Sequence, residues 1–150
     1  MTTVREGQKT DTLQVAHIEA ACFSESAWSA KSLERSLCQS NCLLIVIESN
    51  AEVVGFALAQ MVLDTSELLR MAVLPSHRRK GFGQTLLKQL HERSAQRGVE
   101  QMWLEVRADN VSAIQLYTSE EYTLTGRRPH YYRDGMDALV LSRTLKNHLG

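Results

Sequence analysis

Residues 76–84 read Ser76-His77-Arg78-Arg79-Lys80-Gly81-Phe82-Gly83-Gln84 and separate a predicted strand from a predicted helix. The helix carries apolar residues at helical spacing, Leu86 and Leu90 among them. Glycines and three consecutive cations therefore stand at a helix start, where unpaired N–H groups and the positive end of the dipole favour an anion. The stretch predicts either a diphosphate-binding loop or a basic helix start that is exposed to water.

Two familiar phosphate-binding loops do not fit this stretch. A nucleoside-triphosphate loop ends in Gly-Lys-Ser or Gly-Lys-Thr, and residues 76–84 contain no such ending. A dinucleotide-binding fingerprint needs a third glycine where this chain has Leu86. A diphosphate bound here would therefore belong to another class of site.

Upstream of the loop, the pattern predicts two helices followed by three strands. Apolar residues recur at helical spacing after Asp11, the predicted N-cap, and Ser29 can cap a second helix. Residues 43–47, 53–63 and 67–74 have the composition of strands and are joined by short polar links. Short links of this kind predict an antiparallel meander.

Downstream of the loop, β–α units follow. A strand is predicted at residues 101–106 and a helix at residues 110–120. Two further strands, residues 122–132 and 136–145, are predicted on either side of a hairpin turn at Asp134-Gly135. The order of elements predicts an α+β fold with a mixed sheet rather than a doubly wound parallel sheet.

Length and charge limit the function classes. The chain has 150 residues, 17 basic and 17 acidic, so one domain with a substantial core and no formal net charge is expected. Zero net charge disfavours wholesale binding to nucleic acid or an anionic membrane. The longest apolar stretch, Val53 to Leu63, is too short for a membrane span, and no signal peptide is expected from the charged N-terminus.

The three cysteines, Cys22, Cys38 and Cys42, are an odd number in a chain with a sizeable core. This predicts free thiols in a reducing cytoplasm rather than a disulfide framework. Cys38 and Cys42 lack nearby histidine or cysteine partners that would complete a zinc site. No metal is expected.

Residues 103–110, Trp-Leu-Glu-Val-Arg-Ala-Asp-Asn, hold the second candidate group. In a strand, Glu105 shares a face with Trp103, and its carboxylate is either a general base or a solvated strand-end residue. Asn110 is the predicted N-cap of the next helix. Tyr117 on that helix is either a core residue or a catalytic acid.

Together these stretches resemble the GNAT N-acetyltransferases, whose diphosphate motif matches Arg78-x-x-Gly81-x-Gly83. More narrowly, they are similar to the bacterial ribosomal-protein-alanine N-acetyltransferases over about residues 3 to 145. The residues that carry this narrower resemblance are Phe23, Trp28-Ser29, Trp103 to Arg107, Asn110, Ala113, Leu116-Tyr117, Arg127-Arg128, Tyr131-Tyr132 and residues 137–141. Glu121 stands where the family usually has a glycine at the helix end.

The resemblance implies a fold and a cosubstrate. The implied fold is the GNAT fold, an α+β domain over residues 1–150 with a mostly antiparallel, twisted sheet of about seven strands and about four helices. A bulge or splay at the fourth strand would expose its backbone to acetyl-CoA, the implied cosubstrate. The residues implied in binding it are Met71, Ala72 and Val73 on that strand, the loop residues Arg78, Arg79, Lys80, Gly81, Phe82, Gly83 and Gln84, and Asn110.

The resemblance also implies chemical roles. Glu105 matches the base of the family and Tyr117 its acid. The residues implied on the acceptor side are Trp28, Arg127, Tyr131 and Tyr132. The expected activity is direct transfer of acetyl to the N-terminal amine, an alanine, of a small-subunit ribosomal protein, carried out in the cytoplasm by a monomer without contact to nucleic acid or membrane.

Two alternatives remain open. The acceptor is a lysine, a polyamine or an antibiotic amine instead, or the domain binds CoA without catalysis and regulates another protein. An α-amino group, with a pKa of about 7.7–8.0, loses its proton far more readily than lysine at about 10.4. Arg127 and Arg128 disfavour a polyamine, and the presence of both Glu105 and Tyr117 disfavours a non-catalytic role.

Overall fold

The computed structural model describes residues 1–145, which form four helices and seven strands. The helices are α1 (Thr12–Phe23), α2 (Ala30–Leu37), α3 (Phe82–Gln96) and α4 (Val111–Ser119). The strands are β1 (Thr2–Glu6), β2 (Cys42–Ser49), β3 (Glu52–Val62), β4 (Thr65–Val73), β5 (Gln101–Arg107), β6 (Thr123–Arg128) and β7 (Ala138–Thr144). No helix within this part of the chain has both the length and the apolar character needed to cross a bilayer.

The strands form one sheet in the order β1-β2-β3-β4-β5-β7-β6. Every neighbouring pair is antiparallel except β4 and β5, which are parallel. The prediction of an α+β fold with a mostly antiparallel sheet of seven strands and four helices is confirmed. The parallel contact requires a crossover, and α3 supplies it.

The contact between β4 and β5 is short. Pairing extends only from Thr65 to Glu67 on β4 and from Gln101 to Trp103 on β5, and beyond that point the strands diverge. The pairing of β3 with β4 shifts by one residue at Leu69, which is the extra residue of a β-bulge. The bulge bends β4, and the divergence opens the sheet into a cleft.

Apolar side chains cover both faces of the sheet. On one face, Leu86 and Leu90 of α3 pack with Tyr117 of α4 against the strands. On the other face, Ile18 of α1 packs with Phe56 of β3. Because neighbouring residues of a strand point to opposite faces, the long apolar runs of β2 and β3 supply both cores.

Two local predictions were wrong, and one strand was not predicted. Residues Thr2–Glu6 form an edge strand that the short, charged segment did not suggest. The predicted strands at residues 122–132 and 136–145 are shorter, because residues 129–137 form a loop that starts at Pro129, which has no N–H for a ladder. Asp11 precedes α1 but does not cap it, because its carboxylate accepts hydrogen bonds from Gln8 N and Arg5.

Two predicted caps are present, and the end of α4 is unusual. Ser29 Oγ accepts from Ser32 N, and Asn110 Oδ1 accepts from Ala113 N. At the end of α4, Glu121 adopts a left-handed φ of 70°, where glycine is the usual residue. A left-handed glutamate costs about 1 kcal/mol relative to glycine.

Candidate functional site

The divergence of β4 from β5 opens a cleft of about 1590 Å³. Most residues proposed from the sequence line it: Met71, Ala72, Val73, Arg78, Arg79, Gly81, Phe82, Gly83, Gln84, Glu105, Asn110, Tyr117 and Tyr132. Lys80, Trp28, Arg127 and Tyr131 lie outside its lining. One wall is the edge of β4, the opposite wall includes β5 and α4, and the loop before α3 closes one end.

The edge of β4 turns backbone groups away from β3 and toward the cleft. Leu74 N donates to Val54 O at 2.8 Å, so Gly55 and Val73 form a non-hydrogen-bonded pair in the antiparallel ladder. The N–H and C=O groups of Val73, and by alternation those of Met71, therefore point away from β3 and toward the cleft. Ala72 turns its backbone to β3 instead.

The loop before α3 is a row of unbonded amides. None of the N–H groups of residues 79–84 donates a hydrogen bond to a described residue. Arg79 and Gly81 both have left-handed φ values, 64° and 77°, which lets successive amides converge on one concavity. Free amides and the positive end of the α3 dipole are the features that bind anions at helix starts.

The Arg78 side chain does not face this concavity. Its Nε donates to Val73 O at 3.0 Å, and one terminal nitrogen lies 3.4 Å from Cys22 Sγ. Arg78 thus holds the loop against the end of β4 and leaves Val73 N–H facing the cleft. At Gly83, an added Cβ would lie 3.1 Å from a Leu116 methyl group, so glycine also permits close packing of α3 on α4.

Glu105 lies on β5, on the face opposite the buried side chains of Leu104 and Val106. Its side chain is 16% exposed, and Oε2 lies 2.7 Å from Arg128 Nε. The angle between them is poor, so this contact is an ion pair rather than a hydrogen bond, and Oε2 has no hydrogen-bond partner among residues 1–145. Burial, followed by the nearby charge of Glu105, raises the pKa of Glu67, while Arg128 lowers it.

Tyr117 reaches the cleft from α4. Its ring packs edge-on against Tyr122, with the centroids 5.7 Å apart, and its hydroxyl makes no hydrogen bond to any described side chain or backbone group. Burial raises the pKa of Tyr117 to about 12, so the phenol keeps its proton at neutral pH. A protonated hydroxyl with a free donor is available to an acceptor atom in the cleft.

The loop between β6 and β7 closes the side of the cleft near Glu105. Arg107 pairs with Asp134 at 2.6 Å and lies 4.9 Å from the ring centre of Tyr132. Burial and then the charge of Glu105 raise the pKa of Tyr132. The neighbouring Arg127 pairs with Asp137 at 2.6 Å, away from the cleft.

One functional-site cluster was not foreseen from the sequence. Arg70 and Glu19 form a buried ion pair beside the cleft, with Phe23 and Trp28 packed on the guanidinium group. A charged residue inside the apolar stretch from Leu68 to Val73 was the available signal. Within the part of the chain that the structure describes, no group of three or more His, Cys, Asp and Glu side chains could hold a metal ion.

Comparisons with known proteins agree with this architecture. The model of the Acetyltransferase (GNAT) family matches residues 12–120. The [ribosomal protein bS18]-alanine N-acetyltransferase of Escherichia coli (strain K12) is 35% identical over 149 residues, which cover 95% of this chain and 97% of that protein. A putative enzyme of the same description from Bacillus subtilis (strain 168) is 30% identical, with 95% of each chain covered.

The solved structures show the same relationship. The crystal structure of the ribosomal-protein-S18-alanine N-acetyltransferase from Escherichia coli superimposes with a TM-score of 0.90 at 34% identity. The match covers 97% of this chain and 95% of that one. Sequence, fold and cleft lead to the same conclusion: this chain belongs to the GNAT family of acetyltransferases.

Proposed function

We propose that this chain transfers acetyl from acetyl-CoA to the N-terminal α-amine of a ribosomal protein, with the N-terminal alanine of bS18 as the acceptor. The observation that carries the proposal is one open cleft with a carboxylate, a protonated phenol and a row of free amides on its walls. The choice of acceptor rests on relatives of that description, which match almost the whole chain.

In this proposal, acetyl-CoA spans the cleft. Its diphosphate binds the amides of residues 79–84, where the two left-handed residues make the loop concave. The pantetheine arm runs along β4 and bonds to the outward-facing backbone of Met71, and the acetyl group lies next to Val73. Asn110 lines the same cleft and contacts the cofactor near the start of α4.

The chemistry begins with the acceptor amine, which must be neutral to attack. Glu105 removes a proton from the α-ammonium group, directly or through water, and the amine nitrogen then bonds to the thioester carbon. Val73 N–H, which points into the cleft, donates to the oxyanion of the tetrahedral intermediate. The carbon–sulfur bond breaks, and Tyr117 gives its proton to the leaving thiolate. The nitrogen of the new amide releases its second proton, through water, to the Tyr117 phenolate, and Glu105 returns its proton to solvent.

The acceptor chain enters next to Glu105, on the face that also carries the loop between β6 and β7. Tyr132 borders the cleft there. Trp28, Arg127 and Tyr131 lie further out and contact later residues of the acceptor. We place the enzyme in the cytoplasm, acting as a monomer on newly made ribosomal protein.

The test is a screen of peptides with acetyl-CoA, using release of the CoA thiol as the readout. A peptide with the bS18 N-terminus and a free α-amine is compared with the same peptide blocked at that amine but carrying lysine. Turnover of the free peptide and none of the blocked peptide supports the proposal. Preference for the blocked peptide identifies a lysine acetyltransferase, and binding of acetyl-CoA without turnover of any amine identifies a regulatory domain.

A further inference from the structure

Arg70 lies in the stretch of β4 that lines the cleft, and it binds α1. Its Nε donates to Glu19 Oε1 at 2.9 Å, and a terminal nitrogen donates to Glu19 Oε2 at 2.7 Å. The Glu19 side chain is fully buried and that of Arg70 is 18% exposed. Two parallel hydrogen bonds between buried charged groups fix both position and orientation.

The same pair holds the segment between α1 and α2, residues 23–28. Arg70 donates a third hydrogen bond, of 2.8 Å, to Ser26 O. Glu19 Oε2 accepts from the backbone N–H of Trp28 at 3.2 Å. One ion pair therefore satisfies a carbonyl and an amide, Ser26 O and Trp28 N–H, that lie in neither α1 nor α2.

Two aromatic rings of this segment enclose the guanidinium group. The Arg70 carbon Cζ lies 4.1 Å from the ring centre of Phe23 and 5.3 Å from that of Trp28. Both distances allow cation–π attraction, which is stronger when the cation is desolvated. Lysine could not reproduce this arrangement, because an ammonium group has neither the planar fork nor the stacking surface.

The segment needs an external support. Its own hydrogen bonds are local, from Ala27 N to Ser24 O and from Ser26 Oγ to Phe23 O. Ser24 has φ 49° and ψ −110°, a strained conformation for a residue with a side chain, and such conformations persist when surrounding contacts hold them. Arg70 and Glu19 hold the residues that follow Ser24, through Ser26 O and the Trp28 N–H.

This segment is also a wall of the cleft. Phe23, Ser24 and Ser26 line it together with the whole of residues 68–73. We infer that the Arg70–Glu19 pair positions residues 23–28, the wall of the cleft on the side where the acceptor binds. The pair fixes these residues next to Met71 and Val73. Arg70 is a positioning residue, and the inference rests on the proposed function for the identity of the acceptor.

The kinetic test separates acceptor binding from the other steps. Arg70→Leu should raise the KM for the N-terminal peptide at least tenfold, while acetyl-CoA affinity and kcat at saturating peptide change less than threefold. Arg70→Lys should restore only part of the peptide affinity. Arg97→Leu is the matched control, because Arg97 pairs with Glu6 on the opposite side of the sheet, outside the cleft lining; its peptide KM should equal that of the wild type.

A second readout does not depend on turnover. The chain has two tryptophans, so a Trp103→Phe background leaves Trp28 as the fluorescent reporter of the segment. In that background, Arg70→Leu should increase acrylamide quenching of Trp28 at least twofold, with the thermal unfolding still cooperative. The background protein with Arg97→Leu should show unchanged quenching.

The outcomes are distinguishable. An unchanged peptide KM in folded Arg70→Leu overturns the positioning role, and so does unchanged quenching. Equal losses of peptide and acetyl-CoA affinity also overturn it, since they indicate general destabilisation. If the wild type acetylates no peptide, the proposed acceptor is wrong, and the quenching experiment alone decides whether Arg70 positions the segment.

Discussion

Arg128 Nε lies 2.7 Å from Glu105 Oε2, although the two residues stand on strands that are separated by β7. The Arg128 side chain is half exposed, so this ion pair adds little to stability. The guanidinium group nevertheless occupies the oxygen that an acceptor ammonium group would approach. In the proposed mechanism, the incoming substrate displaces Arg128 before Glu105 takes a proton.

The first prediction follows from this competition. Arg128→Gln should lower the KM for the N-terminal peptide by about two- to fivefold, since up to about 1 kcal/mol of competing interaction is removed. Steady-state kinetics with saturating acetyl-CoA measures the effect, with Arg93→Gln as the control, because Arg93 pairs with Glu6 outside the cleft lining. A higher KM would mean that Arg128 attracts the peptide instead of competing with it.

Glu105 gives the second prediction, which concerns the pH profile. As a base for an α-amine, it should produce a kcat/KM that rises with pH and levels off near pH 8. Glu105→Gln keeps the shape but not the base, so activity should be low at pH 7 and recover partly above pH 9. An unchanged profile would remove Glu105 from the mechanism, and a wild-type limb that still rises past pH 10 would indicate a lysine acceptor.

Tyr117 and Tyr122 form a matched pair for the third prediction. Tyr117→Phe should lower kcat by roughly 10²- to 10⁴-fold and leave acetyl-CoA affinity unchanged, because it removes the proton donor. Tyr122→Phe removes a hydroxyl that bonds His91 at 2.7 Å outside the cleft lining, so kcat should stay near the wild-type value. A kcat for Tyr117→Phe close to that of the wild type would leave Tyr117 as a packing residue.

The dependence of the wild-type kcat on pH also tests the ionisation of Tyr117. With a pKa of about 12, Tyr117 remains protonated through pH 10, so kcat should not fall between pH 8 and pH 10. A descending limb centred near pH 9 would place the proton donor elsewhere.

The fourth prediction concerns the loop before α3. Gly83→Asp places a carboxylate among the free amides and a Cβ against Leu116, so acetyl-CoA affinity should fall at least tenfold. Calorimetry measures the affinity. Gln96→Asp adds the same charge at the far end of α3 and should leave the affinity unchanged. If folded Gly83→Asp binds acetyl-CoA normally, the diphosphate lies elsewhere.

The fifth prediction concerns stability in acid. Burial, followed by the charge of Arg143, lowers the pKa of His91 to about 3. The unfolded chain binds a proton at His91 near pH 6.5 and the folded chain does not. The contribution of neutral His91 to the free energy of unfolding is therefore present above pH 6.5 and is lost as the pH falls toward 3. At pH 5 the loss should be about 2 kcal/mol relative to pH 7.

Urea unfolding at pH 7 and pH 5 measures this loss. His91→Gln can still donate to Tyr122 and accept from Arg143 but does not titrate, so its stability should change less between the two pH values. An equal pH dependence in wild type and variant would show that His91 does not carry the effect.

Much of the candidate site follows from local sequence. The amides before α3 are free because a helix start leaves its first N–H groups unpaired, and the left-handed Gly81 is a property of the loop itself. Asn110 caps α4, and alternation along β5 turns Glu105 away from the buried residues. Each feature depends on residues within about four positions, so it can be predicted from spacing.

Contacts between distant segments could not be predicted in this way. The pairing of Arg70 with Glu19 joins residues 51 positions apart, and Arg128 reaches Glu105 across β7. The edge strand β1 is an extreme case, because five residues with weak patterning become a strand by pairing with β2. Such contacts depend on sheet order, register and the bulge at Leu69. Those features follow from how the whole core packs, whereas helix caps and face alternation follow from the backbone of a few residues.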